Sequence, residues 1–287
     1  MRARPSEYEL VAPGSLPAVL ELLAAEPGLW IPIAGGTELM VQYGAGKLSA
    51  RKLVSLWGLP ELRSIESTAQ ELLIGAGCTY TDLRNHPLVQ QQFPLLARAA
   101  SWTGSIANQN RGTLGGNIVN GSPAADSLPA LLVYEAELVL ASARRIRRMP
   151  YAHFHTGYKQ NVLAADEIIR AIALRPRFAA YHSYTRKVGT RKSQAIAKLC
   201  LAGLGKLSAN KIEDVRLAIG SMAVTPVRLR QTERVLTGRP WSAALISEAR
   251  ETLETEVAPI DDIRSTAAYR LQVAGNLLQE FLEGLFA

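Results

Sequence analysis

Cysteine is nearly absent from this chain. Two occur among 287 residues, Cys78 and Cys200, far apart in sequence. That argues against a disulfide framework, points to a reducing compartment, and leaves the chain short of the four thiolates an iron–sulfur cluster takes. Both are read as small buried apolar groups. Long apolar runs are missing too: no segment reaches the roughly 18 residues of a membrane span, and the opening MRARPSEYELVAPGSL has no apolar signal region. The chain therefore reads as cytoplasmic. Histidine is scarce, at four. His153 and His155 flank Phe154 with the spacing of a strand, but no cysteine or carboxylate cluster joins them, so no metal is expected. No G-x-S-x-G elbow is present, and no Ser-His-Asp arrangement is supported. Aromatics make up 6 %, with no aromatic-and-basic stripe, and the net charge of +7 is modest. RRIRR (144–148) reads as a solvated edge or a surface facing an acidic partner, and nucleic acid is not expected.

What is present is a globular composition, 48 % apolar and 20 % charged, in a chain long enough for two domains. Ser15 precedes Leu16, Val19, Leu20, Leu22 and Leu23 at helical spacing, with Pro17 in the first turn and Pro27-Gly28 as the stop. WIPIA (30–34), LVSL (53–56) and ELLIGAG (71–77) read as strands. Thr79 or Thr81 caps the next helix, and PLLARAAS (94–101) is again helical. Further on, SLPALLVYEA (127–136) is helical, ELVLAS (137–142) and DEIIRAIAL (166–174) are strands, and Pro176 marks a domain boundary. DVRLAIG (214–220) is a strand, followed by helices over 226–237, 242–256 and about 262–284. The order is α+β.

Two segments are rich in glycine: Ala34-Gly35-Gly36-Thr37, and Thr113-Leu114-Gly115-Gly116-Asn117 inside NRGTLGGNIVNGSPAAD (110–126). Glycine lets backbone N–H groups approach a ligand closely, and successive N–H groups in such a turn form a concavity for anions. Neither turn contains a lysine, which excludes the GxxxxGK[ST] nucleotide loop, and GxGxxG is absent: Gly75-Ala76-Gly77 lacks the third glycine. Each turn alone is compatible with a tight surface turn. Two of the same chemistry suit the two sides of a dinucleotide pyrophosphate.

IPIAGGTELM (31–40), NRGTLGGNIVNGSPAAD (110–126), FHTGYKQNVLAADEII (154–169) and DDIRSTAAYRLQVAGNLL (261–278) together resemble the FAD-binding, or medium, subunit of the xanthine dehydrogenase and carbon monoxide dehydrogenase family of molybdenum hydroxylases. The resemblance spans nearly the whole chain in matching order. It implies an FAD-binding fold of the vanillyl-alcohol-oxidase type over residues 1–176, with two α/β lobes (about 1–57 and 58–176), and a smaller C-terminal α+β domain over 177–287. It assigns FAD contacts to Ile31, Pro32, Ile33, Ala34, Gly35, Gly36, Thr37 and Glu38 in the first turn. In the second it assigns Thr113, Leu114, Gly115, Gly116 and Asn117. It adds Asp126 through a hydroxyl, Ile168 as an aliphatic wall, Lys187 near the flavin, and Tyr158 or Tyr181 beside the isoalloxazine. A helix N-cap is the other reading of Asp126. The family's Gln-Ile-Arg-Asn run is replaced here by Ala107-Asn108-Gln109-Asn110, so no arginine stands at that place.

The resemblance further implies an oxidoreductase subunit of a hetero-oligomer, most similar to xanthine dehydrogenase, without catalytic residues or metal of its own. FAD would accept electrons from 2Fe-2S clusters on a small partner subunit, the molybdenum cofactor would sit on a large one, and NAD+ or another acceptor would take the electrons. Two cysteines fit clusters held elsewhere. Alternatives are a stand-alone FAD-dependent oxidase or dehydrogenase, a subunit acting on an aldehyde, an N-heterocycle or carbon monoxide, and an assembly subunit without flavin. Lys187, Arg191 and Lys192 group three positive charges around Gly189, which suits the phosphates of NAD+.

Overall fold

The structure is a computed structural model and describes residues 4–192 and 194–287. Residues 1–3, part of the opening stretch and of the expected first domain, and residue 193, in the expected second, lie outside the described residues.

β1 (Glu9–Val11) leads to α1 (Leu16–Ala25), whose N-cap Ser15 accepts from the Ala18 N–H and whose stripe of Leu16, Val19, Leu20 and Leu23 is buried. β2 (Trp30–Ile33), α2 (Leu39–Gly44), β3 (Lys52–Ser55), β4 (Ile65–Ser67) and β5 (Leu72–Gly75) follow. α3 (Tyr80–Asn85) opens with a reciprocal cap: the Asp82 N–H donates to Thr79 Oγ1 at 3.1 Å and the Thr79 N–H to Asp82 Oδ2 at 2.8 Å. That settles the cap on Thr79. α4 (Pro87–Gln92), α5 (Pro94–Trp102), α6 (Ile106–Gln109), α7 (Leu114–Asn120) and α8 (Leu128–Val133) occupy the middle of the chain. β6 (Glu137–Ala141) and β7 (Ile146–Pro150) form one hairpin, β8 (His155–Gly157) and β9 (Gln160–Asn161) another, before β10 (Ile168–Leu174). The remainder holds β11 (His182–Val188), β12 (Leu199–Ser208), β13 (Lys211–Gly220), β14 (Val227–Arg228), α9 (Arg230–Leu236), α10 (Ala243–Glu256) and α11 (Ala267–Phe286).

By its contacts the chain divides into two compact units. The first comprises Met1–Asp82, Ile106–Asn120 and Ala136–Arg175, and the second Leu83–Ser105, Gly121–Glu135 and Pro176–Ala287. In the first, β1-β3-β2 form a parallel sheet and β4-β5-β10-β6-β7 an antiparallel one. The buried stripe of α1 joins Trp30, Val54, Leu59, Leu62, Ala141 and Ile168 in one core. In the second, β11-β12-β13-β14 form an antiparallel sheet. Leu199 and Leu201 of β12 and Leu217 and Ile219 of β13 share a core with α9, α10 and α11. Cys200 instead lies beside Gly220 and Pro129 of α8. Cover on both faces explains why β12 reads as an unbroken apolar run.

Three expectations shift. The helix expected from 226 begins at Arg230, because Val227 and Arg228 pair with Ile219 and Ala218. The last helix begins at Ala267, capped by Thr266. Before it, Asp262 accepts from the Arg264 N–H, the Ser265 N–H and the buried Arg270, which also donates to the Lys198 and Ser221 carbonyls. Finally, Tyr151–His153 is a single 3-10 turn and Phe154 has helical angles of −80° and −43°. The strand therefore starts only at His155, and the two histidines do not share strand spacing.

Candidate functional site

Both glycine turns belong to the first unit, and the structure brings them together. The first leaves the end of β2 through Gly36, whose φ of 76° lies in the left-handed region. The second enters α7 from Arg111. They touch through bare backbone: a Cβ placed on Gly35 would sit 1.6 Å from the Arg111 carbonyl oxygen. Gly115 packs as tightly on Ala76, where a Cβ would meet the alanine Cβ at 2.6 Å. Two of these glycines are therefore dictated by chain packing.

The turns look alike in sequence and differ in hydrogen bonding. In the second, the N–H groups of Leu114, Gly115 and Asn117 donate to the carbonyls of Cys78, Ala76 and Thr113 at 3.0, 2.9 and 3.0 Å, and Gly116 donates to Thr113 Oγ1 at 3.1 Å. In the first, the N–H groups of Gly35, Gly36, Thr37 and Glu38 donate to no group among the described residues. Backbone donors for an anion are thus concentrated in the first turn. The second offers a rigid, close wall, with Gly116 exposed.

One hairpin holds both turns. From the β8–β9 pair, Lys159 Nζ donates to Glu38 Oε1 at 2.9 Å, His155 Nε2 lies 2.7 Å from the Ile118 carbonyl, and Asn161 Nδ2 donates to the Val119 carbonyl at 3.4 Å. Burial pushes His155 below its ordinary pKa, which favours a neutral ring donating from Nε2. Burial of Glu38 acts upward, but the bonds from Lys159 and Gln42 outweigh it and hold the carboxyl below the usual range. Tyr158 sits at the tip of this hairpin, 62 % exposed. Ile168 opens β10 inside the core of α1.

The second unit contains Asp126, Lys187 and Tyr181. Lys187 Nζ donates to Asp126 Oδ2 at 2.6 Å and to the Trp102 carbonyl at 3.0 Å. The N-cap of α8 is Ser127, so the Asp126 carboxylate serves the ion pair rather than the helix. Its other oxygen, Oδ1, is buried without a partner among the described residues. Buried polar atoms are nearly always satisfied, and an acceptor left open in this way fits a ligand hydroxyl. Burial raises Asp126 to about 6 against the pull of Lys187. The native state then holds this proton more tightly than the unfolded chain, whose aspartate titrates near ~3.9. The stability it contributes is full at low pH and is lost as pH rises from about 4 through about 6. Asp126→Asn should accordingly gain on the parent between pH 4 and pH 7, by roughly 2–3 kcal/mol in urea unfolding. A difference that does not vary with pH would show that burial does not raise the Asp126 carboxyl above its unfolded value.

Tyr181 donates its hydroxyl to Asp214 Oδ2 at 3.0 Å. The three charges grouped around Gly189 do not all face one way. Lys187 points into the ion pair, and Arg191 folds its Nε and Nη2 onto the Gln194 carbonyl at 3.2 and 2.6 Å. Both cysteines are free and buried; burial lifts the Cys78 thiol to about 12 and that of Cys200 further. Among the described residues no group of three or more His, Cys, Asp or Glu side chains is placed to hold a metal ion. No described helix is long and apolar enough to cross a membrane. The sequence reading missed His155, Lys159 and Asn161; their only signal was their place within FHTGYKQN.

A glycine turn leaving β2 of the parallel sheet, backed by a second that packs on Ala76 just beyond β5, has the form of a site for an anionic dinucleotide cofactor. Residues 6–176 match the FAD binding domain in molybdopterin dehydrogenase, and residues 184–285 the CO dehydrogenase flavoprotein C-terminal domain. The chain is 30 % identical to the putative xanthine dehydrogenase FAD-binding subunit of Escherichia coli strain K12, over 93 % of its own length and 92 % of that protein. It is 28 % identical to the carbon monoxide dehydrogenase medium chain of Hydrogenophaga pseudoflava, over 99 % and 98 %. A solved structure of carbon monoxide dehydrogenase from the same organism superposes with a TM-score of 0.93 at 26 % identity, covering 99 % of this chain and 98 % of that one. The chain belongs to the family of FAD-binding, or medium, subunits of the xanthine and carbon monoxide dehydrogenases. The expected fold class is borne out.

Proposed function

We propose that this chain is the FAD-carrying electron-transfer subunit of a cytoplasmic molybdenum hydroxylase. It would take electrons from 2Fe-2S clusters on a small partner subunit and give them to NAD+ or another acceptor, with the molybdenum cofactor on a large subunit. The observation that carries this reading is the first glycine turn, whose four N–H groups bond to nothing among the described residues and suit the FAD diphosphate. When bound, FAD supplies exchange between single-electron and paired-electron carriers. The chain's own part is to hold it: Ile31 to Glu38 and Thr113 to Asn117 against the diphosphate, Asp126 on a hydroxyl, and Ile168, Lys187 and Tyr158 or Tyr181 at the ring. Two buried, protonated cysteines suit clusters carried by a partner. We take the division at residue 176 as the boundary between FAD-binding and C-terminal domains. Identity to the xanthine dehydrogenase relative favours a purine substrate, bound on the large subunit; the carbon monoxide dehydrogenase relative supports that enzyme as the second reading.

The purified chain should carry about one FAD, without turnover of its own, and co-purify with two further subunits. A colourless chain that cannot be reconstituted would overturn the flavin assignment, and turnover by the chain alone would overturn the assignment to a complex. The hairpin gives a finer test. Lys159→Met removes an exposed ion pair and should change stability by less than about 1 kcal/mol. It should nonetheless weaken FAD binding several-fold, because Glu38 closes the turn with the free donors. Unchanged FAD affinity would show that the turn needs no such anchor.

A further inference from the structure

A groove of about 440 Å³ in the first unit lies outside the glycine turns, lined by Leu16, Leu20 and Ile146 together with Arg144, Arg145 and Arg170. Of the arginines in RRIRR, two are neutralised internally. Arg147 gives Nε and Nη2 to Glu167 at 2.7 and 2.6 Å, and Arg148 gives both terminal nitrogens to Glu71 at 2.9 and 2.6 Å. Arg145 comes within only 3.7 Å of Glu167, with 67 % of its side chain exposed. Arg144 and Arg170 pair with no carboxylate among the described residues. The one carboxylate in the lining, Glu61, accepts the Leu16 N–H at 3.4 Å.

Two backbone devices present these cations. The Ser142 N–H donates to the Arg145 carbonyl at 2.9 Å, and Ser142 Oγ accepts from the N–H groups of Arg144 and Arg145 at 3.3 Å each, which fixes the β6–β7 turn. In β10 the register shifts between Ile169 and Ala171, and Arg170 at that bulge is exposed beside the buried Ile169. Bulges commonly re-aim a side chain in this way. β7 is an edge strand, so one side of its backbone has no strand partner among the described residues, and its first residue, Ile146, is 57 % exposed.

We infer that this groove docks an extended acidic segment of a partner subunit, with carboxylates on Arg144, Arg145 and Arg170 and a leucine-type side chain over Leu16, Leu20 and Ile146. Charge complementarity selects the acidic partner: Arg144 and Arg170 have no carboxylate partner among the described residues and Arg145 has only a long one, Glu167 at 3.7 Å, so the excess positive charge of the groove is matched from outside. The open, apolar-floored form beside an edge strand favours a chain segment over a single small anion. The inference rests on the partner half of the proposed function and not on the flavin half.

The test is a native complex purified through a tag on this chain, comparing the parent with R144E/R170E and with R144Q/R170Q. The expected result is at least a ten-fold loss of affinity for one partner subunit in the charge-reversed variant, a smaller loss in the neutral one, and a weaker salt dependence in both. Flavin content per chain should equal the parent's. Unchanged assembly and salt dependence would overturn the docking surface, as would flavin lost along with assembly, which would return the groove to the cofactor. Inorganic phosphate binding that disappears in the variants while assembly is kept would likewise replace it with a small-anion site. A parent that purifies alone defeats the hetero-oligomer reading itself. The groove is then probed by titrating the parent with a synthetic peptide of alternating glutamate and leucine; no saturable binding overturns the surface there too.

Discussion

Gly35→Ala should leave a chain that holds almost no flavin and is destabilised by about 3 kcal/mol or more. The added methyl would stand 1.6 Å from the Arg111 carbonyl oxygen and 2.5 Å from its carbon. Both are backbone atoms, so no rotamer change relieves the clash. The second turn must retreat as a whole, against its bonds to Ala76 and Cys78. Overpacking of this kind typically costs about 1–3 kcal/mol where side chains can adjust, and more where they cannot. Gly116→Val is the control. Its Cβ meets a single side-chain atom, Thr113 Oγ1 at 2.8 Å, which accepts the Gly116 N–H, so the loss of stability should be about that of one hydrogen bond, roughly 0.5–1.5 kcal/mol and less than for Gly35→Ala, while flavin content falls. Flavin absorbance per chain and the urea midpoint distinguish the two outcomes. A Gly35→Ala chain with the parent's midpoint would show that the turns do not touch, and a Gly116→Val chain with full flavin would free the second turn from the cofactor.

Lys187→Met should be nearly as damaging, and more so at high pH. Lys187 and Asp126 are 11 % and 7 % exposed in their side chains, and the lysine also serves the Trp102 carbonyl. Removing one partner of a buried pair typically costs about 3–5 kcal/mol. The abandoned carboxyl has an escape, because it can take up a proton. Its pKa, already about 6 with the lysine present, would rise further, so the deficit should be small at pH 5 and largest near pH 8. Replacing both residues, as Lys187→Met with Asp126→Leu, should recover most of the loss. Urea unfolding at the two pH values reads this directly. A deficit that ignores pH, or that the second substitution fails to relieve, would place the cause elsewhere.

Where a residue's surroundings lie close in sequence, the sequence was informative. The stripe of α1, its serine cap and the glycine turns follow from local spacing, and the quoted motifs led to the family. Partners far along the chain were not legible. Lys159 meets Glu38 across 121 residues, and no periodicity announces such a pair. The helix start at Arg230 depends on Val227 and Arg228 finding β13, which local propensity does not know. Lys187 was grouped with Arg191 and Lys192 as a charge for phosphates because its counter-ion lies 61 residues earlier. The unequal hydrogen bonding of the two turns was also hidden. Gly-Gly beside threonine says that backbone is accessible, but not whether a neighbouring carbonyl has already taken its N–H groups.

The interleaving of the two units bears on how the chain is made. Leu83–Ser105 and Gly121–Glu135 belong to the second unit, yet a ribosome releases them long before β12, β13 and α11. Until β13 ends at Gly220, about 120 residues after α5 and about 90 after α8, the apolar faces of these helices have no sheet to cover them. At elongation speeds of about 5–20 residues per second, that interval lasts of the order of ten seconds. A nascent chain paused there should recruit holding chaperones. A gene cut after residue 176 would make the exposure permanent: its product should aggregate through these two helices even though every strand of the first unit is present.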